Sequence, residues 1–254
     1  MLVLFARVAR ADSPTVPQLS YLWDGGAIPF VWGSIGAWVA LDGYTPPRTT
    51  PLMFSADEGG AQAPSWQVPG WTVCASGGVL GAAMVLGGDD SRWYHAKGLA
   101  ESMLTSAAAA GALKVTFGRH RPQWDSETNR DADRRSFPSG HATEAFAIAT
   151  YASGYLRLHV FDAYREPGTW PIYELATYAL LYGGATAIAA ERVAHYQHHL
   201  SDVAAGAALG TASSALFFLY QERRYRNSAA REIGPQVWPT ITAERASVNL
   251  GWTW

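Results

Sequence analysis

Ser136-Phe137-Pro138-Ser139-Gly140-His141-Ala142-Thr143-Glu144-Ala145-Phe146-Ala147 is the stretch from which the fold of this 254-residue chain can be read. Pro138, Ser139 and Gly140 are turn formers. From Ala142 to Leu158 alanine dominates, β-branched runs are few, and no alternation of period two appears, so the segment reads as an α-helix entered through a turn. The same signature recurs in Gly25 to Leu41, Trp71 to Gly88, Lys97 to Gly118, Leu175 to Ala190 and Val203 to Tyr220. Breakers separate these runs: Pro46 to Pro51, Gly59 to Pro69, Gly87 to Asp90, Pro122 to Pro138 and Pro167-Gly168. The expected fold is all-α, a six-helix bundle over residues 25–224. After Arg224 the composition changes, and Thr240 to Trp254 alternates polar and apolar residues, which predicts a short C-terminal extended or β-hairpin tail over 225–254.

Apolar residues make up 48% of the chain and charged residues 16%, below the usual charged fraction of about 25% for soluble domains. Mean hydropathy is only -0.05, and each apolar run is near or below the roughly 20 residues a membrane span requires. Lipid-facing helices and a soluble bundle therefore both fit the pattern. Trp93, Tyr94, Trp170, Tyr173 and Tyr220 near segment ends suit an interfacial belt. A net charge of -2 argues against nucleic acid, whose binders carry a basic stripe. The single cysteine, Cys74, excludes an internal disulfide and reads as a small buried hydrophobe. Residues 1–24 form an N-terminal segment whose start resembles an export signal, ending in Ala9-Arg10-Ala11, although Arg7 interrupts a short apolar stretch.

Three clusters place strong hydrogen-bonding groups where loop meets helix. In the first, Lys114 and Arg121 are seven residues apart, two helical turns, so they are expected on one helix face, with Pro122 ending the helix. Alone, this is also an ordinary basic helix end. In the second, Pro138-Ser139-Gly140-His141 opens a helix whose unpaired N–H groups suit an anion; His141 stands beside that anion, able to give a proton to a leaving group. A plain N-cap at Ser139 explains the same residues. In the third, Glu191 to Asp202, a helix brings His198 and Asp202 onto one face at i, i+4, where a carboxylate fixes the tautomer of a nucleophilic imidazole. His195 and His199 share the spacing of a helical zinc pair but lack the glutamate of that signature.

Taken in order, Lys-x6-Arg-Pro, Pro-Ser-Gly-His and Arg-x5-His-x3-Asp resemble the three-part signature of the type 2 phosphatidic acid phosphatase (PAP2) and vanadium haloperoxidase superfamily. The matching positions are Lys114, Arg121 and Pro122, then Pro138, Ser139, Gly140 and His141, then Arg192, His198 and Asp202. Many members have serine before the third-motif arginine where this chain has Glu191, which bears on fine positioning. The resemblance implies a helical bundle of that type and a phosphatase acting through a phosphohistidine. His198 is then the nucleophile, Asp202 orients it, and His141 is the general acid. Lys114, Arg121, Ser139, Gly140 and Arg192 would hold the phosphate oxygens. No cofactor or metal is implied, apart from vanadate as a phosphate mimic or, in the haloperoxidase branch, a cofactor. His120 and Arg119 are expected at the border of the pocket but fall on wildcard positions, and His195 and His199 have no role in the pattern.

The expected substrate is a phosphorylated lipid, with a small phosphate ester as the alternative, and membrane contact is expected. The family site normally faces the periplasm or cell exterior. A soluble periplasmic acid phosphatase, a vanadium-dependent haloperoxidase and a non-catalytic membrane anion-binding protein are the competing readings.

Overall fold

A computed structural model describes residues 32–42, 66–89, 91–123, 134–164, 171–228, 234–241 and 246–253. The N-terminal segment 1–24, the start of the Gly25 to Leu41 run and Trp170 lie outside them. Six α-helices are found among the described residues: α1 (Gly33–Asp42), α2 (Gly70–Gly87), α3 (Arg92–Phe117), α4 (Gly140–Tyr155), α5 (Ile172–Ala194) and α6 (Leu200–Ser228). A π-helical turn, Leu156–Phe161, continues α4. The two strands β1 (Gly234–Ile241) and β2 (Ala246–Thr253) pair antiparallel. The hairpin thus starts earlier than the alternation beginning at Thr240 suggests. Pro235 and Pro239 conceal its first strand, yet a two-stranded ribbon tolerates proline on its open edges.

α4 is the central helix because alanine lets its neighbours approach closely. Ala142, Ala145, Ala147, Ala149 and Ala152 are all buried, and α4 contributes to each of three apolar clusters. Tyr151 and Tyr155 pack with Met84, Leu99, Phe217 and Phe218. Ala145, Ile148 and Ala149 pack with Val73 and Ala185, and Ala142 with Ala189 and Val203. The α4–α6 crossing is closest at Gly206 and Gly210, where a Cβ would stand 2.5 Å from the Ser139 carbonyl oxygen and 2.0 Å from that of Thr143. Small residues at such crossings are what allow backbones to touch.

Three helices, α3, α5 and α6, exceed their sequence-expected lengths, and at the extended ends of α3 and α6 polar groups find partners. α6 continues past Tyr220, with Gln221 donating to Glu101 of α3 and Glu222 meeting His95 and His159. α3 begins at Arg92, with the backbone N–H of Arg92 bonded to Asp89 and that of His95 to Ser91.

The outer surface inverts the usual pattern of a soluble protein. Leu86 on α2 and Ile172 and Leu180 on α5 are 85%, 78% and 76% exposed, and Trp71, Val79, Leu216 and Leu219 also face outward. Charged and polar side chains such as Glu101, Ser102, Ser106 and Arg192 are buried instead. Cys74 does not follow the buried-hydrophobe expectation: it is exposed, because α2 buries only the narrow stripe of Val73, Gly77 and Met84. α2 and α6 are long and apolar enough to cross a membrane.

Candidate active site

The three sequence clusters converge where α3 ends, α4 begins, and α5 turns into α6. α3 stops at Phe117 because Gly118 adopts a left-handed conformation, φ 55°, and returns its N–H to the Lys114 carbonyl. Arg121 is therefore not on the helix face of Lys114 as expected. It reaches the site from the following loop, where it donates to Gln197 Oε1, and Gln197 in turn donates to Gln123 at 2.7 Å. Lys114 Nζ donates to the Arg135 carbonyl at 2.7 Å.

At α4 both sequence readings of the Pro-Ser-Gly turn hold together. Ser139 is the N-cap, accepting from the Ala142 N–H at 3.5 Å. Its own N–H donates to the Asp202 carbonyl at 3.0 Å, so the helix start is tied to α6. His141 Nε2 lies 3.1 Å from the Val68 carbonyl, an acceptor only, so that nitrogen carries the proton.

α5 ends at Ala194, and Tyr196, with φ 53°, reverses the chain. This turn sends the N–H groups of Gln197 and His198 back onto the Arg192 carbonyl at 3.0 and 3.2 Å. His198 thus precedes α6 rather than sharing a helix with Asp202. Its Nδ1 faces the Asp202 carboxylate at 3.8 Å, beyond hydrogen-bond range, a spacing that catalytic pairs often close only when substrate binds. The break also separates His195 from His199. His195 Nδ1 is 2.9 Å from Glu191 Oε1, while His199 Nε2 meets the His120 carbonyl, so the two rings do not form a zinc pair.

Asp202 is fully buried and held on both oxygens. Oδ1 accepts from Arg119 Nη1 at 2.7 Å; Oδ2 accepts from Ser136 Oγ at 2.5 Å and from the His199 N–H at 2.9 Å. Arg119 and Ser136 carry no periodic or motif signal, and only the fold brings them to this carboxylate. Glu191, the departure from the family pattern, accepts from the Val68 N–H at 3.1 Å. Val68 therefore bridges Glu191 through its N–H and His141 through its carbonyl, and Trp66 beside it packs edge-on against His195 at 4.3 Å.

The electrostatics are those of a cationic pocket. The charges of Arg121, Arg135 and Arg192 all bear on Lys114. Burial, opposed by Asp202 and reinforced by Lys114 and Arg121, takes His198 down to about 3. Burial and Arg192 take His141 down to about 4. Arg192 is buried, and its Nε and Nη1 have no hydrogen-bond partner; its nearest carboxylate, Glu191, is 3.5 Å away. Between α1, α2, α3 and α4 a cavity of about 270 Å³ runs up to Lys114 and His141, with Leu41, Val73, Ala110 and Val115 in its walls.

The family model described as the PAP2 superfamily matches residues 96–226. The chain belongs to the PAP2 superfamily. Lipid phosphate phosphatase 1 of Arabidopsis thaliana is 31% identical over 146 residues, covering 49% of this PAP2 chain and 43% of the relative. A Dictyostelium discoideum protein described as PA-phosphatase related is 28% identical over 125 residues, 46% of this chain and 45% of its own. The PAP2 chain thus aligns with less than half the length of these curated relatives. No solved structure matches it at comparable stringency.

Proposed function

We propose that this PAP2 protein is a phosphatase that hydrolyses a phosphate ester or diphosphate carried on a lipid, through a phosphohistidine at His198 and with no metal at the reacting phosphorus. The observation that carries the reading is the buried Arg192 guanidinium, whose Nε and Nη1 make no hydrogen bond and whose Nη1 meets Glu191 at 3.5 Å, close enough to Lys114 and Arg121 for the three charges to act together. A buried charged donor is costly unless bonded, and a phosphate supplies the matching acceptors. Phosphoryl transfer is catalysed mainly by positioning and by neutralising charge on the phosphoryl oxygens. Arginine forks suit that geometry, and lysine adds a point charge.

In the first step the unprotonated ring nitrogen of His198 attacks phosphorus and the bond to the leaving oxygen breaks. His141, in the imidazolium form that the negative charge of a bound phosphate favours, gives that oxygen its proton after exchanging the Val68 carbonyl for it, and is left neutral. In the second step His141 takes a proton from water, the water oxygen bonds to phosphorus, and the P–N bond breaks. The depressed basicity of His198 keeps it unprotonated and ready to attack at neutral pH.

The apolar cavity leading to Lys114 and His141 and the outward-facing apolar side chains of α2, α5 and α6 favour a lipid substrate and a membrane setting. At 1.5 Å per residue, the 18 residues of α2 and the uncharged stretch Val203 to Tyr220 of α6 are each about 27 Å long, close to the ~30 Å of a hydrocarbon core. A pocket on the outer side of the membrane, the orientation the family resemblance implies, is part of the same proposal.

Phosphate release from phosphatidate or an isoprenyl diphosphate in detergent micelles tests the proposal. His198→Ala is expected to fall to background and His141→Ala by about 10²- to 10⁴-fold. Equal rates for wild type and His198→Ala refute the mechanism. A higher kcat/KM for a small soluble monoester refutes the lipid assignment, and bromide oxidation with vanadate and peroxide would move the protein to the haloperoxidase branch.

A further inference from the structure

A second polar cluster, not used by the phosphatase reading, lies at the opposite end of the bundle. His95 is in the first turn of α3, nineteen residues before Lys114, and Glu222 is twenty residues beyond Asp202 on α6. At 1.5 Å per residue, each is about 28 to 30 Å along its helix from the phosphate pocket. His159 joins them from the π-helical turn Leu156–Phe161. His95 Nε2 is 3.2 Å and His159 Nε2 is 2.8 Å from the same oxygen, Glu222 Oε2. One ligating atom from each of the three residues lies within 4.8 Å of the others.

We propose that His95, His159 and Glu222 form a binding site for a divalent transition-metal cation of the Zn²⁺ class, a structural site that ties α3, the π-helical turn and α6 together. Two imidazoles and a carboxylate are a donor set for borderline cations rather than for Ca²⁺ or Mg²⁺, which take oxygen. Ligands bound tetrahedrally at about 2.0 to 2.1 Å stand roughly 3.3 Å apart, close to the observed His95–Glu222 spacing of 3.2 Å. Three protein ligands leave a fourth position for water.

The surroundings are those of a metal site as well. A metal-bound histidine normally donates its other ring N–H to an outer partner that fixes its tautomer. His159 Nδ1 has Asp89 Oδ2 at 2.9 Å, and His95 Nδ1 has the Tyr151 hydroxyl at 3.3 Å. Glu222 Oε1 accepts from Arg226 Nε. His95 is further held between Phe218, which stacks on it, and Tyr155, which meets it edge-on. π-Helical turns inside helical segments frequently mark functional positions; here the turn carries His159 inward. The Asp89 side chain, 25% exposed, forms the solvent rim through which an ion would enter.

Without a metal, both Nε2 atoms must donate to one Glu222 oxygen while His159 Nδ1 donates to Asp89, which makes His159 an imidazolium. Binding the cation replaces those two donors and releases a proton from His159. The test uses the full-length protein in detergent, stripped by chelator and dialysed against buffered Zn²⁺, with metal content measured directly. Wild type and His198→Ala are expected to hold one equivalent more than Glu222→Gln and His159→Ala. Calorimetry in buffers of different ionisation enthalpy should show proton release. Co²⁺ in place of Zn²⁺ should give the intense visible bands of a four-coordinate ion in wild type, a readout that stands even if a variant fails to fold. Equal metal content in wild type and Glu222→Gln overturns the proposal, as does a wild-type Co²⁺ spectrum no stronger than that of the aqueous ion. Either result would leave the cluster as an imidazolium held between two carboxylates.

Discussion

Arg119 offers the sharpest test of how the pocket is held. Its Nη1 donates to Ser201 Oγ at 2.6 Å and to Asp202 Oδ1 at 2.7 Å, and both Arg119 and Asp202 are buried. Arg119→Met keeps much of the apolar stem and removes the charge. Breaking a buried ion pair from one side costs about 3 to 5 kcal/mol. The lower end applies because Asp202 Oδ2 keeps Ser136 and the His199 N–H. A loss of about 3 kcal/mol corresponds to a fall in Tm of roughly 6 to 12 °C for a domain of this size. Because Asp202 faces His198, activity should fall too, by up to ~10²-fold if the carboxylate shifts by about 1 Å. Thermal unfolding followed by tryptophan fluorescence and phosphate release on the same preparation measure both effects. Arg119→Lys, which keeps the charge but loses the fork, should lie between wild type and Arg119→Met. A Tm within about 2 °C of wild type, with unchanged phosphate release in Arg119→Met, would refute the assignment of Arg119 as the clamp on Asp202.

Replacing Arg192 with methionine should abolish vanadate inhibition and phosphate release while changing Tm by less than about 5 °C, because its Nη1 meets Glu191 at the long distance of 3.5 Å and Glu191 keeps the Val68 N–H and His195; a larger fall would show that the guanidinium is structural. The depressed His198 and His141 favour the folded state only while the unfolded imidazoles, which titrate near 6.5, are also neutral. Their contribution is complete above pH 6.5 and is lost as pH falls toward about 3. Melting temperature should therefore drop across that window, and less steeply in His198→Gln; parallel profiles would contradict the burial argument. Gly210→Ala puts a Cβ 2.0 Å from the Thr143 carbonyl oxygen and should cost about 3 kcal/mol or more. Gly183→Ala on α5 meets nothing within 4 Å and should be neutral or stabilising by up to ~1 kcal/mol; equal effects in thermal melts would refute the close α4–α6 crossing. A protein recovered without detergent would contradict the membrane reading of α2 and α6.

The helices were legible because their evidence is local. Alanine-rich runs bounded by Gly and Pro carry their own period and breakers, and α2 and α4 start within two residues of the expected positions. Helix ends were less legible where a partner far along the chain decides them. Glu101, 120 residues before Gln221, helps hold the polar end of α6 inside the bundle, and no window on the sequence contains both. Pro122 suggested a helix end that Gly118 had already made, since a left-handed cap depends on one residue's backbone freedom and outweighs a breaker four residues later.

The site divides along the same line. The order and spacing of Lys114, Arg121, His141, Arg192, His198 and Asp202 identified the family, because a motif is a record of which residue types the chemistry needs. Spacing misled where it assumed an unbroken helix: Arg121 and His198 both lie on turns, and Asp202 comes near His198 through the reversal at Tyr196. Arg119 was legible as a residue bordering the pocket but not as the partner of Asp202, and Ser136, Gln197 and Glu191 carried no sign of the contacts they make. The same holds for His95, His159 and Glu222, which lie 63 to 127 residues apart along the chain in their pairings with Glu222. The sequence determined the helical segments and the chemical groups they carry. Only the tertiary structure decided which buried charge meets which, because burial strengthens and selects pairings through space, where separation along the chain has no bearing.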